Sequence, residues 1–241
     1  MKNILLIILL SLLMCCVDNS NEKSLDAAKQ TATLDGKIAN EIGANFAADS
    51  GQITREIQHS SIGNDKEIVT LTYYFFNDIP KTEELASVVA LMFYDLSQTN
   101  QLKQYDIIKV LLKSNNRIIQ KAYNFIDFKR SSPSLKNLEL FFDAVGQNKY
   151  SELTNFIDIS VSNQEVTKTL KMYRNIDSIY GKMDNLTIVS VDFPITNNHD
   201  TLTEVQLSAN HNGSNIRTRH VFEFNNKTNK IQFINIKLID K

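Results

Sequence analysis

Tryptophan is absent from this 241-residue chain, proline occurs three times, glycine seven times and cysteine twice. So little proline and glycine excludes collagen-like repeats and long low-complexity linkers. The scattered glycines form neither G-x-G-x-x-G nor a Walker loop, so neither phosphate-cradling turn is present. Two cysteines cannot build a disulfide scaffold or a four-cysteine metal centre. Charge of one sign is also lacking. The 26 Lys+Arg and 27 Asp+Glu leave a formal net charge of −1, which gives no footprint for nucleic acid. No G-x-S-x-G nucleophile elbow occurs.

What remains is a chain 42% hydrophobic and 9% aromatic, enough for a globular core. Its two cysteines stand side by side, Cys15-Cys16, where an apolar run from Ile4 to Met14 gives way to polar residues. As a helix that run spans roughly 16 Å, about half of a ~30 Å bilayer core, the length of a signal-peptide apolar region. Leu13-Met14-Cys15-Cys16 resembles the bacterial lipoprotein box, with an aliphatic residue at −3, a small one at −1 and then the acceptor Cys. Cys16 fits as acceptor because Leu13 and Cys15 then occupy those places. Cys15 as acceptor would put bulky Met14 at −1. The resemblance implies cleavage after residue 15, acylation of Cys16 and attachment to a membrane of the cell envelope. Val17, in place of a retaining Asp, implies the outer membrane, facing the periplasm or the cell surface. Acyl chains contribute about 0.8 kcal/mol per buried CH₂, so two or more anchor stably.

Beyond the expected signal peptide, 1–15, a polar stretch over 16–33 reads as a tether. A stripe of Leu34, Ile38, Ile42 and Phe46 marks the first helix of the folded part. Two strand-like runs flank Gly63-Asn64-Asp65. A helix with Leu85, Val88, Val89, Met92, Phe93 and Leu96 inward follows Pro80, and a second strand pair turns at Ser114-Asn115-Asn116. Residues 34–130 thus predict an α-β-β-α-β-β unit with an antiparallel sheet. KRSSPS, 129–134, reads as the boundary, with Ser132-Pro133 opening the next helix. Residues 131–241 predict that helix, a short turn over 150–156 and a helix opened by the capping box Ser162–Glu165 and closed by Gly181. Four strands follow, with Asn212-Gly213 as a tight turn. The expected class is α+β, two helix-covered halves with antiparallel sheets.

Phe141-Phe142-Asp143-Ala144, the Asn148-Lys149-Tyr150 turn and Tyr180-Gly181-Lys182, followed by a four-strand meander, resemble small bacterial domains of the nuclear-transport-factor-like, cone-shaped fold. The resemblance covers less than half of the chain and implies architecture, with room for a ligand between sheet and helices.

In IRTRHVFEF, residues 216, 218, 220, 222 and 224 share one face by strand alternation. His220 is the titratable group on that face, with Tyr173 and Tyr180 of the preceding helix as candidates to meet it. The three are the candidate ligand-facing residues, against the plainer reading of a core histidine. Arg217 and Arg219 fall on the opposite face, expected in solvent or against a partner. Glu83-Glu84 are expected only to complement a helix dipole. His59, His199, His211 and His220 lack metal-site spacing, so neither metal nor cofactor is expected. The function expected is a membrane-anchored, non-enzymatic binding module, held to lipid through Cys16, with a protein partner or homodimer and no nucleic acid. The alternative is a small-molecule binder or weak hydrolase using the cone around His220.

Overall fold

A computed structural model describes residues 19–79, 82–158, 160–195, 201–212 and 216–239. The expected signal segment, Cys16, Pro80, His199 and Gly213 lie outside them. The class is α+β, with two four-stranded sheets flanked by helices.

Helix α1, Asn19–Asn45, carries the expected stripe. Ile38 and Ile42 are fully buried in the core and Leu34 packs against it, each buried isoleucine contributing roughly 1.5–3 kcal/mol. Most of the stretch expected as a tether is helical. Its Glu, Lys, Ala and Leu residues are good helix formers, and extending a helix already docked at its far end is cheap. Strands β1, Ser50–Gln58, and β2, Lys66–Phe75, pair antiparallel. Gly51 is required there, since a Cβ would stand 2.4 Å from the ring of Tyr73.

Helix α2, Thr82–Thr99, joins β2 to β3, Ile107–Ser114, which pairs antiparallel with β4, Ile118–Asn124. The sheet order is β1-β2-β3-β4, but β2 and β3 run parallel, unlike the expected antiparallel sheet. A helical crossover returns the chain to the end of the sheet it left, and that is the connection a parallel pair needs.

Helix α3, Phe125–Gly146, begins directly after β4 and contains Pro133 in its interior. The expected boundary at 129–134 is therefore helical, and the helix starts eight residues before Pro133. Phe125, Phe128, Leu138, Phe141 and Val145 keep one helical stripe buried across the proline. The missing amide costs one main-chain bond, while Ser131 Oγ donates to the Phe128 carbonyl at 2.9 Å beside it. A 3₁₀ turn, Tyr150–Phe156, leads to α4, Asn163–Tyr180. Ser162 caps α4, accepting from Glu165 N–H at 3.3 Å, while its hydroxyl turns to the Glu165 carboxylate.

Strands β5, Met183–Asp192, β6, Thr203–His211, β7, Arg217–Asn225, and β8, Lys230–Ile239, form the second sheet as an antiparallel meander. Core residues of both halves belong to one cluster. Helix α2 touches β3 and β4 of the first sheet and β5 of the second. Its residues from Leu85 to Leu91 are all buried, as a helix walled on several sides requires. Ser87 Oγ accepts from the Val191 N–H of edge strand β5 at 3.0 Å.

Candidate functional site

The alternation expected in β7 holds. Thr218, His220, Phe222 and Phe224 are all fully buried. Across the sheet, β6 turns Thr203, Val205, Leu207, Ala209 and His211 to the same side, with Leu207 opposite His220 and Ala209 opposite Thr218. Helices α3 and α4 close this face with Phe141, Phe142 and Tyr173. The Tyr173 ring stacks on His220 at 5.8 Å, and Phe142 meets His220 edge-on, also at 5.8 Å.

Within this apolar face four polar side chains form one chain of hydrogen bonds. Tyr173 Oη lies 3.2 Å from His220 Nδ1, and His220 Nε2 lies 2.8 Å from Thr218 Oγ1. Thr218 Oγ1 lies 2.9 Å from His211 Nε2, and His211 Nδ1 lies 3.0 Å from the Gly181 carbonyl. The carbonyl can only accept, so His211 Nδ1 carries a proton. With both histidines neutral, every direction follows: Thr218 donates to His211, His220 Nε2–H donates to Thr218, and Tyr173 donates to His220 Nδ1. Every polar hydrogen and every ring nitrogen of the chain is then engaged. Burial, then the neighbouring His211, pushes the His220 pKa down to about 3. Burial, with Asp177 adding to it, holds the Tyr173 hydroxyl well above its ordinary range.

Gly181, which closes α4, anchors the far end. Its φ of +86° and ψ of 171° belong to glycine, and a Cβ there would stand 1.9 Å from the Asn212 carbonyl oxygen. The structure therefore brings together two of the three candidates, His220 and Tyr173. Tyr180 lies instead beside His211, ring centroids 6.0 Å apart. His211 stands at the end of β6, as its place in the sequence suggests, but its inward side chain and its part in the hydrogen-bond chain were missed. The signal is there, because the β6 alternation continued two residues past Ala209 reaches it.

Both His220 nitrogens are engaged and its ring is buried, so a ligand would have to displace Tyr173 or Thr218 to reach it. A second polar cluster is satisfied internally. The buried Asp158 carboxylate accepts from the Thr228 hydroxyl, the Ser160 N–H and the Asn225 amide, and the Thr228 and Ser160 hydrogen bonds hold its pKa below the usual range. Among the described residues, no three His, Cys, Asp or Glu side chains gather where they could hold a metal ion.

The opposite face of β7 differs from expectation. Arg219 is held by the chain's own first half, its Nη2 donating to both Glu84 carboxylate oxygens at 2.9 and 3.0 Å. Glu84 thus does more than complement the α2 dipole. Arg217 donates through Nε to Asn210 Oδ1 at 3.3 Å. Comparison with protein families, with curated proteins and with solved structures finds no match for this chain.

Proposed function

We propose that this chain is a lipid-anchored binding module of the bacterial envelope, attached through acylated Cys16 and acting without covalent chemistry of its own. The observation that supports this reading is helix α1. From Asn19, the first described residue, it runs unbroken to Asn45 and into the core, where Ile38, Ala39 and Ile42 seat it. At about 1.5 Å per residue such a helix measures roughly 40 Å, a firm mount between an acylated residue and a folded body. Among the described residues no helix is long and apolar enough to cross a membrane, so in this reading the acyl chains supply the attachment. The binding half of the proposal draws on the filled interior. Around His220 the space between the second sheet and its helices is occupied by aromatic rings and the histidine chain, so in this reading ligands meet the body elsewhere.

The test is metabolic labelling with an alkynyl fatty acid in a bacterial host. The wild-type chain takes up label and partitions with membranes, and Cys16→Ala does neither. A wild-type chain that stays water-soluble and carries no acyl mass overturns the anchor.

A further inference from the structure

On the side of the second sheet away from His220, a cavity of about 300 Å³ lies between the two halves. Phe46, Leu85 and Val88 form its wall from the first half, and Ile188 and Val189 line it from β5. Consecutive strand residues normally point to opposite faces. Both line this space, and β5 slips register there: Ile188 pairs with Leu207 and Ser190 with Gln206, leaving Val189 as an inserted residue. Bulges of this kind re-aim side chains and gather at functional sites.

Two arginines stand two residues apart on the adjoining face of β7. Arg219 already has its carboxylate, Glu84, which itself lines the cavity. Arg217 also lines the cavity, but among the described residues its one side-chain partner is the neutral Asn210, reached through Nε. Among the described residues, nothing engages the fork of its two terminal nitrogens. Glu84 and Arg217 are the charged side chains of the lining, and Glu84 is already paired with Arg219, which leaves Arg217 as the cation facing the space. A guanidinium fork matches a planar carboxylate, and the wall beyond it is aliphatic and aromatic.

We infer that this cavity binds a small amphiphilic monoanion, a carboxylate on Arg217 with a short apolar tail against Leu85, Val88 and Ile188. The volume sits at the lower end of ligand pockets, which run from about 300 to 1,000 Å³, and so selects a short tail. This assignment rests on the binding-module reading and not on the anchor, because the cavity is built entirely beyond Leu34.

Photo-crosslinking tests it. The full-length chain, taken from whichever cell fraction holds it, is irradiated with a diazirine-bearing octanoic acid and adducts are mapped by mass spectrometry. Adducts are expected on residues 84–88 and 187–189. Arg217→Gln should lower their yield about threefold to fivefold, the loss of one exposed ion pair. The matching diazirine alcohol should label the same segments weakly and be indifferent to that change. Ser208→Phe, on the cavity wall, should block both probes with an unchanged melting temperature. If that variant misfolds, Arg217→Gln at its exposed position carries the test alone. Adducts confined to other segments, an acid no better than the alcohol, or undiminished labelling of Arg217→Gln would each overturn the assignment. Because attachment is read separately by fatty-acid labelling, failure of one does not disguise failure of the other.

Discussion

Replacing His220 by glutamine should flatten the acid limb of the stability profile. In the folded chain burial and His211 hold the His220 pKa down to about 3, against an ordinary value of 6.5. The unfolded chain therefore binds a proton between these values that the folded chain refuses. Stability is fully present above pH 6.5 and falls as the pH drops through the window towards 3. Linkage gives a loss of about 2 kcal/mol between pH 7 and pH 5, insensitive to the folded value as long as it lies well below 5. Carboxylates raised by burial, such as Asp35 and Glu223, act in the opposite sense, so the raw profile is a sum. The informative quantity is the difference between wild type and His220→Gln, measured by urea unfolding at both pH values. The variant is less stable at pH 7, because it abandons the Thr218 and Tyr173 hydroxyls, but should lose about 2 kcal/mol less on acidification. Equal acid losses in the two proteins would refute the neutral, directional hydrogen-bond chain.

Gly181→Ala should cost at least about 3 kcal/mol in urea unfolding, from a nearly glycine-only backbone conformation and a Cβ driven into the Asn212 carbonyl. A loss under about 1 kcal/mol would mean that the closure of α4 relaxes freely. A double-mutant cycle of Glu84→Gln and Arg219→Met should give a coupling of about 1 kcal/mol, discounted for side chains 31% and 28% exposed, and smaller in high salt. Zero coupling at low salt would remove that pair as a link between the halves.

The inward face of β7 is legible in the amino-acid order because strand alternation is a strict two-residue rhythm, and Thr218, His220, Phe222 and Phe224 obey it. His211 obeys the same rhythm in β6, but polar Asn210 and Asn212 suggest a turn that would end the strand at Ala209. Pro133 misleads in a different way. A proline is usually a boundary, yet the stripe from Phe125 through Phe128 to Leu138 carries the helix across it, and tertiary burial outweighs one lost amide. The polar stretch ahead of Leu34 reads as a tether because composition reports the absence of a core face, not the absence of a helix. The parallel β2–β3 pair is invisible in either strand alone, because its direction is set by the crossover between them. Glu84 with Arg219, 135 positions apart, has no local signature at all. The same holds for the cavity, whose lining comes from segments that meet only when the sheets are set against one helix.

That helix, α2, has a bearing on inheritance. Since one rod walls the first sheet and also braces the edge strand of the second, neither half could be passed to another gene as a working cassette. Recombination within the intervening sequence would part that rod from one of its two sheets, so the halves are expected to travel through descent together.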